Sequence, residues 1–204
     1  MDTNKKECNF FATISRMKYI ERWALMHSSR PENLSEHSLE VSMIAHALCT
    51  IANIRYGKNL NAEKAALIGL FHDCSEIITG DMPTPVKYYN EEMRDAYKNI
   101  ERIAEYKLLD KLPNDLRPKY EEIFTSAKQD PDDAYMRRLV KAADKISAYI
   151  KCIEECSFGN MEFKTAKETI SSCLDEMKKE FPEVRDFSEE FLPSYGKNLD
   201  ELSK

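Results

Sequence analysis

Ala65-Ala66-Leu67-Ile68-Gly69-Leu70-Phe71-His72-Asp73-Cys74-Ser75-Glu76 is an apolar run that ends in an imidazole and two carboxylates. These polar groups fall where the pattern otherwise calls for core. A neutral imidazole beside a carboxylate is costly to bury unless a metal ion or hydrogen bonds satisfy both. The spacing predicts a helix from Ala65 through Ile78 that ends at Gly80, a natural residue just past a helix C-terminus. On such a helix Glu76 follows His72 by four residues and Asp73 by three, so its carboxylate rises on the side of both.

Upstream, Asn33 or Ser35 caps a second helix expected from Leu34 to Ile54. His37 shares a face of it with Val41, Ile44 and Leu48, whereas His46 points the opposite way. Taken alone, His37 reads as a hydrogen-bonded core histidine rather than a ligand. Before it, Phe10, Phe11, Ile14, Met17, Ile20 and Leu25 recur at helical spacing, which predicts a first helix to about Met26 with Arg22-Trp23 near its end.

Downstream, Gly80-Asp81-Met82-Pro83-Thr84-Pro85-Val86-Lys87 reads as a stiff, non-helical loop, because its prolines lock the backbone. A charged helix follows over Glu91 to Leu112, with Met93, Tyr97, Ile100, Ala104 and Leu108 as its inward stripe, then a shorter one holding Leu116, Tyr120, Ile123 and Phe124. Gln129-Asp130-Pro131-Asp132-Asp133 lacks the spacing and glycine of a calcium loop and reads as an acidic helix start. The helix it opens runs from Asp133 to about Cys156, with Val140, Ala143, Asp144, Ser147 and Ile150 or Lys151 facing inward. Asp144 there is a poor mid-helix residue that asks for a cation. One more helix carries Phe163, Ala166, Ile170, Cys173, Leu174 and Met177, and the tail with Phe187, Phe191, Leu192, Pro193 and Tyr195 makes a short final helix. Residues 1–204 thus read as one all-α helical bundle without repeats.

A net charge of −6 argues against a nucleic-acid polymer as partner, since binding its backbone needs clustered Lys and Arg. A small anion needs only a few local cations. The six cysteines show no framework spacing, no segment reaches membrane-spanning length, and Lys5, Lys6, Glu7, Arg16 and Lys18 leave no signal-peptide core; a reduced, cytoplasmic protein is expected.

Three helices therefore each supply an inward polar residue: His37, the His72-Asp73 pair and Asp144. Two imidazoles and two carboxylates suit one borderline divalent ion such as Mn, Co, Fe or Zn better than Mg or Ca. Only His27 and His46 remain among the histidines, which favours a mononuclear site.

This arrangement resembles the HD-domain metal phosphohydrolases, whose pattern is a histidine, a later His-Asp pair and a distant aspartate, all on helices. Asn33-Leu34-Ser35-Glu36-His37-Ser38, His72-Asp73-Cys74-Ser75-Glu76, Thr79 through Lys87, Lys141-Ala142-Ala143-Asp144 and Arg22-Trp23 look like the bacterial HD-domain 5′-deoxynucleotidases in particular. The resemblance spans nearly the whole chain. It implies an HD-domain bundle with a Co, Mn or similar ion on His37, His72, Asp73 and Asp144, and Glu76 handling protons. It further implies that Arg22 orients the phosphate, while Trp23 and Asp81, Met82, Pro83 and Thr84 line the nucleotide pocket, substrate also touching His37, Asp73 and Asp144. Lys87 is either a further cation near the phosphate or a solvated loop lysine. The implied reaction is hydrolysis of deoxyribonucleoside 5′-monophosphates, by a homodimer to which the apolar surplus of Glu91 to Phe124 also points. The rival readings are another HD chemistry, on cyclic nucleotides or deoxynucleoside triphosphates, and a non-catalytic helical binding protein with a structural metal.

Overall fold

Three helices, Leu34–Tyr56 (α2), Ala62–Phe71 (α3) and Pro131–Ser157 (α8), form the centre of the bundle, with α2 packed along both of the others. The structure is a computed structural model describing residues 8–87, 89–125 and 130–204, without the side chain of Thr84. Lys5, Lys6, Glu7 and Gln129, used in the sequence reading, lie outside those residues. The other helices are Phe10–Ile14 (α1), Glu76–Thr79 (α4), Thr84–Lys87 (α5), Glu91–Leu109 (α6), Arg117–Phe124 (α7), Lys164–Glu180 (α9), Pro182–Glu190 (α10) and Leu199–Leu202 (α11). Among the described residues the extended structure is an isolated bridge between Glu21 and Asn33, so the chain has the expected all-α class.

The core follows from helical periodicity. Val41, Ala45, Leu48 and Ala52 of α2 meet Ala65 and Ile68 of α3 and Leu139, Ala143, Ile146 and Ile150 of α8, while Leu174 of α9 and Val184 of α10 close the far side. Alanines at these contacts let the helix axes approach. Gly69 permits a close approach of α3 to α2, since a Cβ there would stand 2.9 Å from the Cα of Ser42. A second cluster, Phe10, Met17, Leu34, Cys74, Leu108, Leu109 and Leu112, seats α1 and α6 over the start of α2 and the end of α3. α2 begins with a capping box in which the Asn33 side chain accepts from the Ser35 and Glu36 amides and Glu36 returns to the Asn33 amide.

Five expectations are corrected. The first helix stops at Ile14 and continues as a 3₁₀ turn over Ser15–Tyr19, after which residues 20–33 form a loop. That loop is closed by Leu34 N–H donating to Ile20 O and Arg22 N–H donating to Glu32 O, both at 2.9 Å. Leu25, counted in the helical spacing of that first helix, is 76% exposed. The predicted helix through Ile78 breaks at residues 72–75, where i→i+3 bonds such as Glu76 N–H to Asp73 O tighten the chain before α4. In the supposedly non-helical loop, Thr84–Lys87 make one helical turn with proline near its start, a position where the missing N–H costs nothing. On α6, Met93 and Ile100 are half-exposed, and the buried set is Tyr97, Ala104, Leu108 and Leu109. The tail makes α10, a 3₁₀ turn at Leu192–Ser194 and α11 rather than one final helix, because Pro182 restarts the chain directly after α9.

Candidate metal centre

His37 stands in the first turn of α2 and is fully buried; His72 caps the end of α3; Asp144 lies midway along α8. One donor atom of each lies within 4.8 Å of the others. Asp73 joins them, its Oδ2 2.9 Å from His72 Nε2 and 3.6 Å from His37 Nε2.

The tautomers follow from the other ring nitrogens. His72 Nδ1 is 2.7 Å from the carbonyl oxygen of Gly69, which can only accept, so this nitrogen carries a hydrogen and Nε2 is left for either a proton or an ion. His37 Nδ1 is 3.0 Å from Ser147 Oγ, whose own hydrogen goes to Glu40 Oε2 at 2.6 Å, so His37 Nδ1 is also the donor. Among the described residues neither Nε2 atom, both buried, has a hydrogen-bond partner, and His37 Nε2 sits 3.2 Å from Asp144 Oδ1. A lone pair facing a carboxylate oxygen at that distance is repulsive unless a cation lies between them. The donor set therefore fits a divalent ion, and two imidazole nitrogens with two carboxylates suit a borderline one.

Electrostatics agree. Burial, reinforced by Arg22, lowers the pKa of His37 and keeps it neutral. Burial likewise opposes a charge on His72, but the Asp73 carboxylate overcomes it and raises that pKa to about 9. A proton and a dication compete for the same place. Burial works against the charge of Asp144, yet His37, Lys145 and His72 hold its carboxyl well below the usual range.

Glu76 and Arg22 flank this cluster. The Glu76 side chain is buried, its Oε2 has no partner, and burial followed by Asp73 and Asp81 pushes its carboxyl up to about 9. Arg22 reaches the centre from the 20–33 loop rather than from a helix. Burial disfavours its charge, but Glu32, Asp144, Asp73 and Asp81 together raise its pKa. One oxygen of Glu32 accepts from both Arg22 Nη1 at 2.9 Å and the Trp23 indole N–H at 3.0 Å, a clamp the sequence reading missed.

Trp23 has φ +60°, the one non-glycine residue with positive φ among those described, and its ring packs on Phe163 with centroids 5.3 Å apart. Such a backbone is strained for a bulky side chain and is kept where the surroundings force it. Burial raises the Asp81 carboxyl, while the Arg22 guanidinium and the Trp23 backbone act the other way, so the Arg22-Trp23 loop lies near the segment after Gly80. Met82 and Pro83 are half-buried beside it; Thr84 is placed by its backbone alone. Lys87 is not free, since it donates to Glu101 Oε1 at 2.6 Å and stands over the Tyr97 ring, and its charge also acts on Glu76. His27 and His46 are exposed and take no part. A cavity of about 290 Å³ opens beside His72 and Asp144, walled by Phe71, Ile123 and Phe124 with Lys141 at its edge; the sequence reading did not single out this groove, because residues from four helices share it.

Fold and site together define an HD-domain metal phosphohydrolase. The family described as 5′-deoxynucleotidase YfbR-like matches residues 9–195, and the chain belongs to that family. Among curated relatives, a 5′-deoxynucleotidase of Vibrio parahaemolyticus is 48% identical over 97% of this chain and 100% of its own length. The 5′-deoxynucleotidase YfbR of Escherichia coli is 45% identical over 98% of each. Among solved structures, an HD-domain phosphohydrolase from Listeria innocua superposes with TM-score 0.76 at 22% identity, covering 96% of this chain and 89% of that one. The cyanophage S-2L HD phosphohydrolase, described as bound to dA and one catalytic Zn2+ ion, has TM-score 0.59 at 19% identity, covering 86% and 89%. At those identities the structures speak for the fold.

Proposed function

We propose that this chain is a metal-dependent 5′-deoxynucleotidase that hydrolyses deoxyribonucleoside 5′-monophosphates to the deoxynucleoside and inorganic phosphate. The observation that carries the reading is the pair of buried, unpartnered imidazole Nε2 atoms facing the Asp73 and Asp144 carboxylates. Relatives named 5′-deoxynucleotidase at 45–48% identity over nearly the full length support the activity.

His37, His72, Asp73 and Asp144 are the metal ligands in this reading. When bound, a divalent ion supplies Lewis-acid polarisation of a phosphoryl oxygen and eases deprotonation of the attacking water. The donor set supports Co, Mn or another borderline metal over Mg or Ca. Arg22, with Nη1 held by Glu32, turns its remaining guanidinium donors to the phosphate oxygens in a planar fork that lysine could not reproduce. Glu76 holds the proton that is exchanged with the water or the leaving 5′-oxygen, from a carboxyl whose Oε2 has no hydrogen-bond partner among the described residues. Trp23 and Asp81 form with Met82, Pro83 and Thr84 the wall that reads the sugar, and a 2′-hydroxyl left without a partner there is rejected.

We take residues 1–204 as one HD-type domain acting as a cytoplasmic homodimer. Among the described residues no helix is long and apolar enough to cross a membrane, and Cys49, Cys74, Cys152, Cys156 and Cys173 are free, which suits a reducing compartment. The half-exposed Met93, Ile100 and Ile103 on α6 support a self-association face. Phosphate release from dAMP, AMP and dATP, beside a phosphodiester reporter and with each divalent metal added to chelated protein, tests the reading. Release from dAMP above AMP and dATP is expected; turnover of the diester alone would overturn it.

A further inference from the structure

Glu40 lies three residues after His37 on α2, and Ser147 lies three residues after Asp144 on α8. Each of these helices thus presents one candidate metal ligand and, one turn further, a polar residue on the same side. The two polar residues meet. Ser147, fully buried, donates to Glu40 Oε2 at 2.6 Å and takes the hydrogen of His37 Nδ1 at 3.0 Å. The chain His37–Ser147–Glu40 contains one hydrogen per link, and every donor has one acceptor. If Glu40 did not accept from Ser147, the serine hydrogen would be free to turn to His37 Nδ1, and the ring hydrogen would move to Nε2, where the lone pair is needed.

Glu40 is reached by water from another direction. A cavity of about 120 Å³, lined by Arg30, Glu32, Glu40, Ile150, Lys151 and Glu154, opens on its carboxylate and does not include the metal-centre residues. Burial raises the Glu40 carboxyl to about 7, so it is ionised and accepting at pH 8.

Resting on the metal-centre reading above, we propose that Glu40 is a positioning residue that acts through Ser147 to hold His37 as the Nδ1–H tautomer, with Nε2 turned to the metal. Outer hydrogen-bond partners of this kind change metal affinity by roughly 10- to 100-fold.

The test is titration of chelated protein with Co2+ at pH 8, followed by calorimetry and by the visible absorption of the ion, on the parent, Glu40→Gln, Glu40→Leu and Ser147→Ala. Gln keeps an acceptor for the serine; Leu does not. The expected result is that E40L and S147A weaken Co2+ binding by about 10-fold or more. E40Q is expected to stay within about three-fold and to keep the parent spectrum. Melting of the metal-free proteins separates fold from affinity, and half-exposed Glu40 carries the test if S147A does not fold. E40L binding as tightly as the parent, or E40Q losing as much as E40L, would overturn the relay. A parent that takes up no Co2+ would overturn the metal-centre reading and the relay with it.

Discussion

The Nδ1 of His72 lies 2.7 Å from the carbonyl oxygen of Gly69, a residue at which α3 closely approaches α2. One position therefore sets both the helix spacing and the orientation of an imidazole. Gly69→Ala would place a Cβ 2.9 Å from Ser42 Cα and 3.0 Å from its nitrogen, backbone atoms that cannot swing aside. The expected loss is about 2 kcal/mol of stability together with weaker metal uptake, read by thermal unfolding and metal titration. A variant that melts with the parent would contradict the close approach.

Glu76→Gln preserves the shape of a buried side chain and removes its ability to exchange a proton. Turnover of dAMP should fall by about 10²-fold or more, while Co2+ affinity and melting stay near those of the parent. Retained turnover would remove Glu76 from the chemistry.

Trp23→Ala removes the indole that packs on Phe163 and bonds Glu32 but leaves φ at +60°. The ratio of kcat/KM for dAMP over AMP should drop by about ten-fold, the scale of one lost pocket contact, with metal binding unchanged. Trp23→Gly, free of the left-handed penalty, should be more stable than Trp23→Ala by about 1 kcal/mol. An unaltered sugar ratio in both variants would exclude Trp23 from substrate reading.

Removing the metal should abolish phosphate release, and Mn or Co should restore it better than Mg or Ca, because imidazole nitrogens favour borderline ions. His37→Ala should show the same loss without recovery at ordinary metal concentrations. Full activity in excess chelator would refute the metal requirement.

Glu155 is 1% exposed and accepts from Lys151 Nζ at 2.5 Å, from the Ser29 amide and hydroxyl, and from Asn160. Burial opposes its charge, but these donors hold its carboxyl well below the usual carboxylate range. A depressed folded pKa gives stabilisation that is complete above the unfolded value, about 4.3, and is lost as pH falls below it. Glu155→Gln should therefore cost about 3 kcal/mol at pH 7, with the gap to the parent narrowing toward pH 3. A gap independent of pH would show that the charge is not what matters there.

His37, His72 and Asp144 were legible because a polar residue on an apolar helical face is conspicuous against a 3.6-residue period. The break at residues 72–75 was not, since the imidazole that ends α3 bonds back to Gly69, and residue order does not display that contact. Arg22 was recognised from the motif but assigned to a helix; its support comes from Glu32, ten residues away, and a clamp across a loop carries no periodic signal. Ser147 was read only as an inward-facing residue and Glu40 not at all, although each lies one turn beyond a candidate ligand, on that residue's own side.

The loop at residues 20–33 closes on itself through the Ile20–Leu34 and Arg22–Glu32 backbone bonds, and the capping box of α2 follows without an intervening residue. The separation of Arg22 from His37 is thereby set at the neck of the loop, not by its contour. Residues added at the tip near Leu25, 76% exposed, would lengthen the excursion and leave that separation unchanged. Insertions and deletions among relatives should accordingly collect at the tip, while the neck keeps a constant length.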